Sequence, residues 1–266
     1  MFDRFNRDIS YLRIAVTDRC NLRCTYCMPE EGIKRKARGD ILSYEEIEEV
    51  MKTAVKLGFY KFRLTGGEPL VRKDIVECVR RLANIDGVKT LAMTTNGLLL
   101  PVYAKGLKAV GLSRLNISLD SLKAERYRQI TRGGDLTLAM AGIHAAQKAG
   151  FAGTKLNVVL LDGINDDEKE ALCYFAAENN LGIRFIKKMN LKTGKFFEIE
   201  GSTGGSCAIC NRLRLTADGK LRSCLFSDLE FDIRKEGIEQ AFKKAIQDKP
   251  EKGHKSLARE MVEIGG

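Results

Sequence analysis

Short hydrophobic runs recur along the chain, and the segments between them have apolar residues at helical spacing. The runs that predict strands lie at 12–16, 61–65, 88–94, 115–119, 155–160 and 182–186. In the first segment between two runs, Ile47, Val50, Met51 and Ala54 fall on one helical face. Six repeats of strand and helix predict an α/β fold with a parallel sheet. A doubly wound sheet and a partial barrel both fit, because a closed barrel needs eight units.

Two pairs of residues have the spacing of helix starts. Ser43 with Glu46 three residues later is typical of a capping box, and Gly58 predicts the end of that helix. Asn165 with Glu168 has the same spacing and predicts another helix start before Leu172.

The pattern changes after Met189. Residues 190–206 are rich in Gly, Ser and Thr and predict a connector with one short strand. The next segment predicts a hairpin with its turn at Asp218 and Gly219, followed by a last helix at about 235–247. We therefore expect an α/β unit over residues 1–190 and a smaller module over residues 191–266.

Composition and charge limit the class of protein. The chain has 266 residues, of which 44% are hydrophobic, so it can bury a full core. The N-terminus lacks the apolar stretch of a signal peptide, and no window approaches the roughly 18 apolar residues of a membrane span. We expect a cytoplasmic protein without a membrane partner. The formal net charge of +10 favours anionic partners such as nucleotides, polyphosphates or nucleic acid.

The eight cysteines are poor candidates for disulfides in a reducing compartment. Two of them, Cys78 and Cys173, stand alone in helical segments and are expected to be small buried residues. The other six form two groups, which are Cys20, Cys24 and Cys27, and Cys207, Cys210 and Cys224. Such clustering indicates a metal or iron–sulfur site.

The first group has the spacing C-x3-C-x2-C and follows the first predicted strand. Structural zinc sites usually have four ligands, and no fourth Cys or His follows nearby. Three thiolates on a 4Fe–4S cluster would leave one iron open to a substrate or cofactor. A three-ligand zinc site and chance spacing are the alternatives.

This spacing, with Tyr26 before the last cysteine, resembles that of the radical S-adenosylmethionine (SAM) superfamily. The motif "LTGGEPL" at 64–70 resembles the superfamily's segment that contacts the SAM amine. Its glycines would let backbone groups approach a ligand closely, and Glu68 would accept a hydrogen bond from an ammonium group. The resemblance implies a partial (βα)6 barrel, SAM as cofactor, and a 5′-deoxyadenosyl radical as the reactive species.

The second group, with the strings "CNRLRLTADGKLRSCLF" and "SYLRIAVTDRCNLRCTYCMPEEGI", resembles the GTP 3′,8-cyclase family. The resemblance implies conversion of GTP to (8S)-3′,8-cyclo-7,8-dihydroguanosine 5′-triphosphate in molybdopterin (molybdenum cofactor) biosynthesis. It also implies two 4Fe–4S clusters, a small C-terminal iron–sulfur module, a homodimer, and a product passed to cyclic pyranopterin monophosphate synthase.

The resemblance also implies roles for individual residues. The first cysteine group would hold the SAM cluster, and the second would hold a cluster with a free iron facing guanine. The residues implied to contact SAM are Tyr26, Gly66, Gly67, Glu68, Ser118 and Met189. Those implied to contact GTP are Arg13, Arg63, Thr94, Lys155, Arg212, Leu213 and Arg214. The terminal Gly265 and Gly266 would reach into the active site.

The chain departs from the family between Met189 and Cys207, where only 17 residues stand and the family has several dozen more. Lys187 also occupies a position that is usually acidic. Two other hypotheses therefore remain open. One is a radical SAM enzyme with an auxiliary cluster that acts on a peptide or a nucleic acid base. The other is a non-catalytic metal-binding module that holds nucleic acid, which the absence of Trp and of aromatics among the basic runs disfavours.

Overall fold

The structure is a computed structural model that describes residues 1–199 and 204–265. The strands are β1 (Tyr11–Ala15), β2 (Lys61–Thr65), β3 (Thr90–Thr95), β4 (Arg114–Ser118), β5 (Lys155–Leu160), β6 (Gly182–Lys187), β7 (Arg212–Leu215), β8 (Lys220–Arg222) and β9 (Glu230–Asp232). The helices are α1 (Tyr44–Lys56), α2 (Ile75–Ala83), α3 (Leu100–Ala109), α4 (Ala124–Thr131), α5 (Leu136–Lys148), α6 (Lys169–Glu178), α7 (Ile233–Glu236) and α8 (Ile238–Gln247). None of the helices in these described ranges is long and apolar enough to cross a bilayer.

All of these strands form one sheet in the order β6-β5-β4-β3-β2-β1-β7-β8-β9. Strands β1 to β7 pair in parallel, and β8 and β9 continue the sheet in antiparallel fashion. Because β6 and β9 are its edges, the sheet is not closed. This confirms the predicted α/β class with a partial (βα)6 barrel.

The two faces of the sheet differ in polarity. Leu12 and Ile14 of β1 are fully buried in the apolar core that the helices cover, whereas Tyr11 and Arg13 point to the opposite face. Parallel strands that are buried on both faces are usually apolar throughout. Here apolar and polar side chains alternate along the strands, so the face away from the helices is free to line a polar cavity.

The first predicted helix is present with its capping box. The Ser43 hydroxyl accepts from the Glu46 N–H, and the Glu46 carboxylate accepts from the Ser43 N–H. The helix ends at Lys56, and Gly58 follows with a φ of 91°. The prediction from the sequence is confirmed here.

The second predicted helix start is confirmed, because a 3-10 turn (Asp166–Glu168) and then α6 follow Asn165, but its capping box is absent. The Asn165 side chain makes no cap hydrogen bond, because its amide instead donates to the carbonyls of Asp120 and Val159. Glu168 accepts from the hydroxyl of Ser121 rather than closing a box. Both side chains therefore tie the α6 segment to the end of β4, which the local spacing did not indicate.

The hairpin predicted in the C-terminal part is present, with Gly219 at a φ of 79° in its turn. The predicted last helix is split into α7 and α8 at Gly237, whose φ is 83°. In the described part of the connector, an antiparallel bridge pairs Asn190 with Lys195. A second apolar cluster of Leu191, Phe226 and Ile264 joins it to the C-terminal part.

The two isolated cysteines differ in burial. Cys78 is fully buried in the core, as expected. Cys173 is exposed, so that prediction is wrong. It lies on the outer side of α6, where the helix faces solvent.

Candidate active site

The first cysteine group lies on the loop that follows β1. The Cys27 N–H donates to the Cys24 carbonyl at 2.9 Å, which closes a turn between two of the thiols. The end of α4 fixes the same loop, because the Thr25 N–H donates to the Ile130 carbonyl at 2.9 Å. The Arg132 guanidinium donates to two further carbonyls of the loop. The loop is therefore held in place by main-chain bonds to a helix.

The thiols of this group influence one another electrostatically. Burial raises the pKa of Cys20 to about 11, and burial with the nearby Cys20 and Asp120 charges raises the pKa of Cys27 to about 12. The Leu22 N–H donates to the Cys20 sulfur at 3.4 Å, a contact that favours a thiolate. A metal or cluster bound to these sulfurs would stabilise their thiolate form.

The donor set fits a cluster better than a single ion. Within residues 1–199 and 204–265, no three His, Cys, Asp or Glu side chains lie close enough to enclose one metal ion. A tetrahedral zinc site requires thiolates at about 2.3 Å from one centre. An iron–sulfur cluster binds each thiolate to a different iron, so its ligands are more widely spaced. Each group supplies three thiols rather than the four ligands of a structural zinc site, so a cluster with one open iron fits the donor set better.

The GGEP loop at the end of β2 packs against the main chain that leads into the cysteine loop. The Gly67 N–H donates to the Thr17 carbonyl at 2.9 Å, and the Glu68 N–H donates to the Arg19 carbonyl at 2.8 Å. A Cβ on Gly67 would lie 2.2 Å from the Arg19 oxygen. The close approach of the Arg19 main chain therefore leaves no room for a side chain at Gly67. The predicted approach of the two glycines to a ligand stays a prediction.

The Glu68 carboxylate is fully enclosed by its own protein. Oε1 accepts from the Thr95 hydroxyl at 2.7 Å and the Leu70 N–H at 3.0 Å, and Oε2 accepts from the Asn96 N–H at 2.7 Å. Burial outweighs these bonds and raises the pKa of Glu68 to about 7. The side chain thus links β2 to the end of β3. Its predicted contact with an ammonium group is untested.

We expect stability to fall as pH rises from about 4.5 to about 7, because Glu68 keeps a proton in the folded state that the unfolded chain releases. The effect is at most about 3 kcal/mol. Urea unfolding of the wild type and of Glu68→Gln across this range measures it. The variant cannot ionise, so its free energy of unfolding should depend less on pH. If the free energy of unfolding changed with pH equally in the wild type and in Glu68→Gln, the prediction would be contradicted.

Tyr26 and the end of β4 are joined by a carboxylate. The Tyr26 hydroxyl donates to Asp120 Oδ2 at 2.8 Å, and the Val159 N–H donates to Asp120 Oδ1 at 2.7 Å. Burial raises the pKa of Asp120 to about 6. Ser118 lies two residues before Asp120 and is half-buried. Met189 packs against the second apolar cluster, away from the main core.

The second cysteine group lies at the opposite end of the central strands. Cys207 and Cys210 precede β7 and are joined by a turn in which the Cys210 N–H donates to the Cys207 carbonyl at 3.2 Å. The β7–β8 hairpin returns the chain so that Cys224 stands beside them, and the Phe226 N–H donates to its sulfur at 3.4 Å. Because β7 runs parallel to β1, the first group follows the carboxyl end of β1 and Cys207 and Cys210 precede the amino end of β7, so the two groups lie beyond opposite ends of these strands.

Arginines occupy one register on three adjacent strands between the two groups. Arg13 of β1 pairs with Arg63 of β2 on one side and with Arg214 of β7 on the other. All lie on the polar face. The Arg63 guanidinium donates to the Tyr11 hydroxyl at 2.8 Å and to the Thr94 hydroxyl at 3.2 Å. The sequence-predicted Arg13, Arg63, Thr94 and Arg214 are thus brought together.

The positive charge of this face is unbalanced. Within residues 1–199 and 204–265, Arg13, Arg63, Lys155 and Arg214 form no ion pair with a carboxylate. The Nε atoms of Arg13 and Arg184 are buried without a hydrogen-bond partner. Burial and the neighbouring Arg212 lower the pKa of Arg214 to about 10, so it remains charged at neutral pH. An anion with several charges would satisfy this face.

Among the residues predicted to contact GTP, Leu213 differs because its side chain does not lie on the polar face. Its side chain points to the other face of β7 and is fully buried in the apolar core. A side-chain contact with a ligand on the polar face is therefore excluded, and only its main chain remains. The reason is the alternation of side chains along a strand, which separates it from Arg212 and Arg214.

The C-terminal tail reaches the arginines. The Gly265 carbonyl accepts from Arg13 Nη2 at 3.0 Å and from Arg214 Nη1 at 3.4 Å. A Cβ on Gly265 would lie 2.4 Å from the hydroxyl of Thr65 on the same face. Gly266, the other half of the predicted terminal pair, lies outside the described residues.

Two residues of the site were missed in the sequence. Arg184 of β6 stands between Ile183 and Phe185, and its alternating position could have indicated the polar face. Lys249 is fully buried beside the second cysteine group. It lies in a run of charged residues that resembles a solvated surface, so no local signal could have found it.

Comparison with known proteins identifies two matching families. Residues 14–175 match the Radical SAM superfamily, and residues 188–255 match Molybdenum Cofactor Synthesis C. The GTP 3′,8-cyclase of Alkaliphilus oremlandii is 41% identical over 320 aligned positions, which cover all of both chains. The GTP 3′,8-cyclase of Thermodesulfovibrio yellowstonii is 42% identical over 322 positions with the same coverage. With 266 residues in this chain, 54 of the 320 positions have no counterpart in it.

Solved structures share the fold. Streptococcus suis SuiB bound to its precursor peptide SuiA aligns with a TM-score of 0.67 and 14% identity, over 91% of this chain and 65% of SuiB. The enzyme anSMEcpe with bound AdoMet aligns with a TM-score of 0.66 and 15% identity, over 91% of this chain and 81% of the other. At these identities the likeness concerns the fold alone.

Proposed function

The chain belongs to the radical SAM superfamily and, within it, to the GTP 3′,8-cyclase family, and we propose that it cyclises GTP bound against its arginine-lined polar face. It is an enzyme of molybdenum cofactor biosynthesis that uses SAM and an iron–sulfur cluster. The proposed product is (8S)-3′,8-cyclo-7,8-dihydroguanosine 5′-triphosphate. Of the three hypotheses from the sequence, family membership favours this one.

The observation that carries the proposal is the row of arginines without carboxylate partners. Arg13, Arg63 and Arg214 stand at one register of neighbouring strands, and their guanidinium groups are partly or wholly buried. A triphosphate carries about four negative charges, and guanidinium groups bind phosphate through two parallel hydrogen bonds. The chain's own contribution to catalysis is therefore to hold and orient the nucleotide between the two cysteine groups.

We propose that Cys20, Cys24 and Cys27 hold the cluster that binds SAM. When bound there, SAM and the reduced cluster would supply a 5′-deoxyadenosyl radical, the chemistry needed for hydrogen abstraction from C3′ of the ribose. The tight main-chain bonds of the loop keep the thiols in place. The wall of the partial barrel excludes water from a reactive species.

A second cluster on Cys207, Cys210 and Cys224 is part of the same proposal. The Lys249 and Arg212 charges outweigh burial and lower the pKa of Cys210, which supports a thiolate there.

We also propose a domain boundary between residues 190 and 191, with the partial barrel before it and the smaller module after it. The homodimer, the cytoplasmic location and the transfer of product to cyclic pyranopterin monophosphate synthase stay predictions.

The proposal predicts about eight irons per chain after anaerobic reconstitution with iron and sulfide, four for each cluster. With dithionite, SAM and GTP, the wild type should form 5′-deoxyadenosine and a cyclised nucleotide. The variant Cys224→Ala should hold about four irons and still cleave SAM, but should form no cyclised nucleotide, because only the second group is disrupted. Iron analysis and chromatography of the products measure these results.

The exposed Cys173 offers a matched control, since Cys173→Ala removes a thiol outside both groups and should match the wild type. A wild type that forms 5′-deoxyadenosine at a rate independent of GTP, with no cyclised nucleotide, would overturn the assignment of GTP as substrate. A Cys224→Ala chain that retains about eight irons would overturn the second cluster.

A further inference from the structure

Lys249 is a buried cation at the second cysteine group. Its relative exposure is 1%, although it stands in the segment "DKPEKG", in which Asp248, Glu251 and Lys252 are exposed. Lysine is almost never fully buried unless it is paired, because removing its charge from water costs several kcal/mol. Its burial therefore requires a specific compensating environment.

The ammonium joins the two halves of the cysteine group. It donates to the Arg212 carbonyl at 2.9 Å and to the Ser223 carbonyl at 2.6 Å. Arg212 lies two residues after Cys210, and Ser223 immediately precedes Cys224. One side chain thus ties the start of the hairpin to its end, at the place where the two thiols must meet.

Arg7 provides a contrast at the same place. Its guanidinium donates to the Cys207 carbonyl at 2.9 Å and to the Pro250 carbonyl at 2.8 Å. It also forms an ion pair with the buried Asp3 at 2.6 Å, so its charge is already balanced. Arg7 therefore positions Cys207 without adding net charge to the site.

The charge of Lys249, unlike that of Arg7, is not balanced by any carboxylate that the structure describes. Among residues 1–199 and 204–265, no carboxylate forms an ion pair with it. The charges that act on its ammonium most strongly and favourably are those of Cys210 and Cys224. Its ammonium donates to two backbone carbonyls and to the Cys210 sulfur, so the negative charge nearest to it is that of the thiolates or of a cluster bound on them.

We infer that Lys249 is a positioning residue of the second cysteine group, where it aligns Cys210 with Cys224 and supplies the positive charge that stabilises the reduced form of a bound iron–sulfur cluster. The inference rests on the proposed second cluster. Reduction adds one negative charge to that cluster, so a nearby fixed cation raises its reduction potential. The residue acts through the thiols and does not touch the nucleotide's reacting atoms.

The test uses the full chain with Cys20→Ala, Cys24→Ala and Cys27→Ala, in which the second group alone can bind a cluster. In this background Lys249→Gln keeps hydrogen-bond donors but removes the charge, and Lys249→Arg keeps the charge. Redox titration followed by electron paramagnetic resonance measures the potential. We expect Lys249→Gln to lower the equilibrium constant for reduction of the cluster at least tenfold, which corresponds to a reduction potential about 59 mV lower for one electron. Lys249→Arg should restore most of the lost potential.

The exposed Lys252, three residues further on, is the matched control, and Lys252→Gln should leave the potential of the parent unchanged. A Lys249→Gln chain with the iron content and potential of the parent would overturn the inference while the second cluster stands. A parent that binds no iron would overturn the second cluster and the inference together. In the background with all cysteines, retention of the first group's iron by Lys249→Gln verifies that the variant folds.

Discussion

Replacing Gly67 with alanine is expected to remove the first cluster and with it the cleavage of SAM. The new Cβ would lie 2.2 Å from the Arg19 carbonyl oxygen and 2.5 Å from its carbon. These are main-chain atoms, so no flexible side chain can move aside. The two hydrogen bonds that join the GGEP loop to Thr17 and Arg19 would break, and Arg19 directly precedes Cys20. We expect a destabilisation of about 2–4 kcal/mol and at least a 100-fold lower rate of 5′-deoxyadenosine formation.

Iron analysis of Gly67→Ala in a Cys224→Ala background isolates the first group. The expected iron content falls from about four to below one per chain. Gly39→Ala is the matched control, because a Cβ there meets nothing within 4 Å. Full iron content and an unchanged rate in Gly67→Ala would show that the loop can move without loss of the cysteine geometry.

Replacing Arg214 with alanine is expected to abolish efficient use of GTP while leaving the cleavage of SAM intact. Arg214 is 7% exposed and lies next to Arg13 on the polar face. A hydrogen bond to a charged group contributes about 1.5–3 kcal/mol, and phosphate can accept two from one guanidinium. We therefore expect kcat/KM for GTP to fall roughly 100-fold. The basal formation of 5′-deoxyadenosine without GTP should not change, because Arg214 lies at the register of Arg13, whereas the first cysteine group lies on the loop beyond the end of β1.

Product formation at varied GTP concentration measures this effect, and the iron content verifies that both clusters are present. Arg128→Ala removes an exposed arginine on α4 and serves as the control. Arg214→Lys keeps the charge but loses the bidentate geometry, so an intermediate value is expected. If Arg214→Ala lowered GTP turnover and basal SAM cleavage equally, the residue would act on the fold or on the first cluster instead.

The C-terminal tail lies against the arginines of the polar face. Gly265 contacts Arg13 and Arg214 through its carbonyl, so the chain's own end covers part of the polar face. A carbonyl is a neutral acceptor and leaves most of the positive charge for a ligand. In the described part of the connector, Leu191 packs with Phe226 of the C-terminal part.

Most of the fold was predictable because its signals are local. The six predicted strands agree with β1 to β6 to within two residues at each end, since hydrophobic periodicity and β-branched residues act over a few positions. The Ser43–Glu46 box is likewise local. The failed box at Asn165 and the exposed Cys173 depended on which neighbours the fold brings close, and sequence spacing carries no such information.

The sequence by itself determined the class of fold, the two cysteine groups and the family, because thiol spacing and strand periodicity are properties of short stretches of chain. Only the tertiary structure decided which side chains share a site. The parallel register placed Arg13, Arg63 and Arg214 side by side, and it turned Leu213 into the core. It also enclosed Glu68 and Lys249, since a charge is buried by elements that are distant in sequence and whose packing no local pattern records.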